Sequence, residues 1–253
     1  MKGIFLKIFA TIAYIAMVVV NFLANGLPIN NRSTGEISDA YPNLFAPAGL
    51  TFSIWGLIYL LLVGYVVHQF IKSSQKKEEL LNKINPLFIA TSIANISWIF
   101  SWHYDYIGLS VMIMAVLLIL LIKIADIIRT QKFSFIEKIF IWAPFSIYFG
   151  WITVATIANV TVFLVSTGWN GFGMADYIWT SIILLVGALI GIVRMNKDRN
   201  IVYGLVLVWA YLGILLKHQS AGGFAGQYPN IAVTVIICLL LFIFFILRIM
   251  YKK

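Results

Sequence analysis

Runs of about twenty apolar positions alternate along this chain with short polar segments, and that length is what a helix needs to cross a bilayer. Eight runs separate: about Ile4–Leu23, Ala48–Ile71, Ile84–Trp102, Ile107–Ile128, Phe140–Val165, Ala175–Met195, Ile201–Leu216 and Ile231–Tyr251. Each is continuously apolar rather than alternating, which selects helices over the strands of a barrel. The pattern therefore predicts an all-α fold, a polytopic membrane helical bundle of about eight transmembrane helices. Pro144 in the fifth run is the expected cause of a kink there. The longest polar segment, 25–47, follows the first run and carries Pro28, Asn30, Asn31, Arg32, Glu36, Asp39 and Pro42. Polar segments of this length in compact domains are commonly functional.

Composition agrees with the pattern and removes other classes. The 253 residues are 62% hydrophobic and 11% charged, more apolar than a soluble core requires. A formal charge of +9 raises nucleic acid as a partner, but the basic residues sit in short segments between apolar runs, so no nucleic-acid role is expected. They read instead as topology determinants. Sixteen of the eighteen lysines and arginines, Lys72, Lys252 and Lys253 among them, fall on one side of an eight-span arrangement, and only Arg32 and Lys217 fall on the other. Both ends are therefore expected in the cytoplasm, with 25–47 outside, in a bacterial plasma membrane. The first run is expected as a retained helix rather than a cleaved signal. Cys238, the one cysteine, permits neither an intrachain disulfide nor a cysteine metal cluster.

Candidate chemistry is sparse. His68, His103 and His218 fall at the ends of different runs, without metal-ligand spacing, and no phosphate-cradling loop or nucleophile elbow is present. Asp126 and Asp176 stand at run ends, where a carboxylate caps a helix or faces water. What the runs do contain is indoles, amides and hydroxyls. Trp98 follows Asn95 by three residues, on one helix face; Trp151, Ala155 and Asn159 lie close to a single face of the fifth run, with Thr153 and Thr156 one turn or two from Asn159. Two roles stay open for Asn95 and Asn159: hydrogen bonds between helices, or contacts to a ligand. The stretch Phe45–Tyr59, with Pro47, Trp55 and Tyr59, is either an interfacial aromatic belt or the lid and wall of a pocket. Matching stripes on the third and fifth runs favour an aromatic-lined pocket.

These residues carry a resemblance. Across the end of the loop and the second run, Ala46-Pro47, Ile54-Trp55 and Tyr59 are similar to the P-P, V-W and Y positions of the translocator protein, or tryptophan-rich sensory protein (TspO/MBR), family. Asn95-Ile96-Ser97-Trp98 resembles that family's N-W-x-W, and Trp151, Ala155, Thr156 and Asn159 its W-x-x-x-A-T-x-x-N. The resemblance covers about Ile4 to Val165 and implies a five-helix core, 1–165, with an outer lid loop at 25–47. Residues 166–253 would then add three further helices. It also implies binding of an apolar tetrapyrrole- or sterol-like molecule, as sensor, receptor or carrier, with Pro47, Trp55, Tyr59, Asn95, Trp98, Trp151, Thr156 and Asn159 as the ligand-binding residues. Gly49 and Ile96 stand where the family has indoles, so the porphyrin breakdown attributed to its tryptophans is not expected here. No catalytic residue, no metal and no resident cofactor is expected, only a porphyrin-, haem-like or lipid ligand. The expected partners are membrane lipids and that ligand, and a homodimer is left open. A permease for a small neutral solute is the alternative, and a membrane enzyme acting on a lipid-soluble substrate comes third.

Overall fold

The computed structural model describes residues 2–27, 29–71 and 74–251; Pro28 in the outer loop and Lys72, Lys252 and Lys253 in the charge pattern lie outside them. Among the described residues ten α-helices follow in order: α1 (Lys2–Gly26), α2 (Thr34–Asp39), α3 (Ile54–His68), α4 (Gln75–His103), α5 (Ile107–Arg129), α6 (Phe135–Glu137), α7 (Ala143–Ser166), α8 (Asp176–Asp198), α9 (Ile201–Gln219) and α10 (Pro229–Tyr251). Eight stretches of the described residues are long and apolar enough to cross a membrane, and they correspond to the eight runs. Large side chains such as Phe9, Leu60 and Leu189 are about 58%, 66% and 63% exposed. Lipid, rather than water, is the solvent that tolerates them. The molecule is an integral membrane protein built as a polytopic helical bundle.

Local chemistry moves several boundaries. The fourth helix starts at Gln75, well before Ile84, because Ser74 caps it by accepting the Lys77 N–H and the residues that follow are strong helix formers. The segment 25–47 is not plain loop. Ser33 and Glu36 form a reciprocal capping box, with the Ser33 N–H donating to Glu36 Oε2 at 2.6 Å and the Glu36 N–H to Ser33 Oγ at 3.3 Å, and it launches α2. The irregularity expected at Pro144 lies just before it. Residues Lys138–Trp142 form a π turn in which the Ala143 N–H reaches back to the Lys138 carbonyl, and Pro144 is then the second residue of α7. A proline is tolerated in that first turn, so the inserted residue, rather than the ring, makes the local departure.

The contacts divide the chain into two compact units, Met1–Ile37 with Trp55–Phe149, and Ser38–Ile54 with Gly150–Lys253. In the first, buried polar side chains are satisfied by one another. Tyr65 donates to Asn85 Oδ1 (2.6 Å), Asn85 to Gln69 Oε1 (3.1 Å), and Gln69 to the Lys7 carbonyl and Thr11 Oγ1 (both 3.3 Å). Apolar surroundings give such amides no water to fall back on, so they join helices. Tyr65, Phe88 and Phe145 pack edge to face beside this chain. In the second unit close helix approach uses small residues: a Cβ at Gly150 would lie 2.9 Å from Val206 Cβ, and one at Gly187 2.9 Å from the Tyr211 hydroxyl. Arg199, left-handed at φ 49°, ends α8, and Asn200 caps α9 at once by accepting the Tyr203 N–H. A hairpin of two spans results.

Candidate functional site

The eight ligand-binding residues expected from the sequence divide evenly. Trp55, Tyr59, Asn95 and Trp98 belong to the first unit, and Pro47, Trp151, Thr156 and Asn159 to the second. In the first unit three of the four gather around Tyr148. Trp55 stacks on Tyr59 (5.5 Å between centroids) and meets Tyr148 edge-on (5.8 Å). Asn95 donates to the Tyr148 hydroxyl at 3.2 Å and accepts from Asn21 Nδ2 at 2.6 Å, so its amide is engaged on both sides. The Tyr59 hydroxyl is buried and finds no hydrogen-bond partner among the described residues. Trp98 leaves this group and stacks on Trp102, whose indole N–H donates to the Thr34 carbonyl.

The first half of the loop 25–47 is fastened in the same unit by the end of α4. His103 Nδ1 lies 3.0 Å from the Ile29 carbonyl, which can only accept, so Nδ1 carries the proton and Nε2 accepts from the Thr34 hydroxyl at 3.1 Å. Arg32 pairs with Asp105. The second half is fastened in the second unit by α9. Trp209 Nε1 donates to the Thr51 carbonyl (3.0 Å), the Ala48 N–H to the Gly213 carbonyl (2.9 Å), and His218 Nε2 to the Leu44 carbonyl (2.9 Å), while Lys217 pairs with Asp39 at 3.5 Å. Positions 209, 213 and 217 share one helix face, so α9 presents a row of anchors along the loop. Asn43 stiffens the loop from within by accepting from the Phe45 and Ala46 N–H groups (3.1 and 2.9 Å) and donating to the Tyr41 carbonyl.

Under this fastened segment the second unit holds a cavity of about 490 Å³. Phe45 of the loop, Thr156 and Val160 of α7, Trp169 of the connecting loop, and Trp179 and Ile183 of α8 are among its walls. The volume lies inside the range of small-molecule sites, and the walls are largely apolar, as such sites are. The end near the start of α8 is aromatic. Trp169 and Trp179 lie 5.0 Å apart, and Trp179 donates to the Gly171 carbonyl at 2.6 Å. Gly171 has φ +63°, and a Cβ there would stand 2.6 Å from the Trp179 ring, so the turn requires glycine.

Of the residues expected to bind a ligand, Thr156 lines this cavity. Trp151 instead packs edge-on against Phe52, Asn159 is buried in α7, and Pro47 is buried between the pinned Ala46 and Ala48. Trp169 and Trp179 are wall residues that sequence reasoning passed over, and Asp176, read there as a helix cap or a water-facing carboxylate, stands on the same wall. Their signal was available as two indoles and a carboxylate within eleven residues around a Gly-rich turn. Among the described residues, no group of three His, Cys, Asp or Glu is placed to hold a metal ion.

No curated protein and no solved structure matches the chain. One family does: the model described as TSPO-like protein matches residues 7–248, running from the first span into the eighth and so taking in the helices beyond Val165. With eight membrane-crossing helices and a match across nearly its whole length, the chain belongs to the TSPO-like protein family.

Proposed function

We propose that this TspO-like membrane protein binds an apolar small molecule, tetrapyrrole- or sterol-like, inside its membrane domain, and acts as a sensor, receptor or carrier rather than as an enzyme. The observation that carries the reading is the cavity of about 490 Å³ under the loop that α9 fastens. Apolar walls supply affinity by removing ligand surface from water, and the two indoles at the outer end offer faces for a flat ring. The cluster of Trp55, Tyr59 and Tyr148 in the first unit, with its one unpartnered buried hydroxyl, is a second place where a ligand group would gain a hydrogen bond. The charge distribution supports a plasma-membrane protein with the loop 25–47 on the outer side.

The test is a titration of the purified protein in nanodiscs with a porphyrin and with a sterol, read by tryptophan fluorescence. Saturable quenching by the porphyrin, or a saturable emission shift with the sterol, is the expected result, reduced in the W169F/W179F double variant. Signals that rise linearly with both ligands, as they would for partition into lipid, overturn the proposal.

A further inference from the structure

The cavity in the second unit has a shape and a polarity that narrow its occupant. Its lining on α8 extends from Asp176 to Ile190, which is about 21 Å at 1.5 Å per residue, and on α7 from Thr156 to Val165, about 14 Å. The space is a shaft along the helices. Two of its hydroxyls spend their protons on backbone carbonyls, Thr156 on Ile152 at 2.7 Å and Thr161 on Ile157 at 3.0 Å, while Thr180 of α8 adds a further hydroxyl to the wall. The Asn43 amide and the Trp179 N–H are likewise committed to backbone carbonyls. The shaft therefore offers mainly apolar contact, with the Thr180 hydroxyl as a polar point on its wall. At its outer rim stands Asp176, exposed, the single charged residue among the described lining residues, with no cation on the lining to neutralise it. Beside it the Trp169 and Trp179 rings present the faces that attract ammonium groups.

We infer that this cavity takes an elongated amphiphile, its chain in the shaft and a cationic ammonium head at the Asp176 rim. The inference rests on the reading above that this cavity binds an apolar small molecule, and it takes a chain amphiphile rather than a ring system as the occupant. An anionic head is disfavoured because Asp176 already occupies the α8 N-terminus with negative charge. The same observation supplies the competing explanation for Asp176: a carboxylate in the first turn of a helix stabilises that helix whatever binds nearby. The two roles separate by experiment.

The protein is reconstituted in phosphatidylglycerol vesicles with a brominated-chain probe at increasing mole fraction. The probes are a long-chain amine, the corresponding alcohol, phosphatidylethanolamine, and phosphatidylglycerol itself. The quenching that disappears in the W169F/W179F double variant reports the site. An ammonium head is expected to half-saturate it at about one tenth of the mole fraction the alcohol requires, about 1.4 kcal/mol. Asp176→Asn should remove that difference and leave the alcohol unchanged, and Ile183→Trp, which fills the shaft, should abolish site-specific quenching by every probe. Saturation by phosphatidylethanolamine identifies a bilayer lipid as occupant; saturation by the amine alone identifies a free amphiphile. Equal behaviour of amine and alcohol in the unmutated protein overturns the inference. So does a D176N variant that weakens all probes alike while losing thermal stability. If porphyrin and sterol still saturate while no chain amphiphile does, this inference falls and the broader reading stands. If nothing saturates, both fall.

Discussion

At the scale of single residues, Asn95 shows what a sequence reveals and what it hides. Its position in the middle of an apolar run marks it as needing a partner, since hydrocarbon supplies none. The partners themselves, Asn21 and Tyr148, are 74 and 53 residues away, and no periodicity points to them. With both sides of the amide engaged, Asn95→Ala should lower stability by about 1 kcal/mol, the scale of hydrogen bonds between membrane helices. Detergent-induced unfolding of the two proteins checks it. Unchanged stability with weakened porphyrin binding would assign the amide to a ligand instead. Glu36 gives a pH dependence of known sign. Hydrogen bonds from the Ser33 backbone and then its hydroxyl, with Arg32 adding a smaller pull, hold the Glu36 carboxyl below its ordinary value. A depressed carboxyl contributes its stability above the unfolded value and loses it as pH falls through the folded one. The amides of 33–37 should therefore lose protection, measured against the intrinsic exchange rate at each pH, below the ordinary carboxylate range, and Glu36→Gln should flatten that dependence. Protection that falls equally in both proteins counts against the capping box.

At the scale of elements, the spans were legible and the fastening of the outer loop was not. A run of apolar residues is a local property, read directly from composition over about twenty positions. The Ser33-x-x-Glu36 box was equally local and equally readable, and it accounts for the short helix inside what looks like loop. By contrast, the row Trp209, Gly213, Lys217 on α9 meets Thr51, Ala48 and Asp39, and those pairings join segments more than 150 residues apart. Gly213 is the tightest point. A Cβ there runs into the Thr51 side chain, and the Gly213 carbonyl holds the Ala48 N–H at 2.9 Å. Gly213→Val should push the loop off α9 while leaving both helices intact. Breaking a buried hydrogen bond of about 1.5 kcal/mol corresponds to roughly tenfold faster exchange at the Ala48 amide. Hydrogen exchange followed by mass spectrometry reads it, with residues 38–54 sped up and helical circular dichroism unchanged. Equal protection in the variant would show that the anchors on either side suffice without Gly213.

At the scale of the whole molecule the strongest statement comes from charge, because orientation in a membrane depends on a sum over loops rather than on any contact. Sixteen basic residues on one side against two on the other is a bias that no single substitution reverses. The two exceptions are themselves informative. Arg32 pairs with Asp105 and Lys217 with Asp39, so each basic residue on the sparse side stands beside a carboxylate. The chain also offers a clean way to test orientation. Its one cysteine, Cys238, is buried in α10, so Cys238→Ala provides a cysteine-free background. In that background Gly222→Cys, in the loop between α9 and α10, should react with a membrane-impermeant maleimide added to intact cells. Lys132→Cys, between α5 and α6, should react only after the membrane is opened. Labelling of Lys132→Cys in intact cells would reverse the orientation. It would move the loop 25–47, and with it the Asp176 end of the cavity, to the cytoplasmic face. Any ligand entering past Asp176 would then have to arrive from inside the cell, so this measurement also decides from which side the probes for the cavity should be supplied.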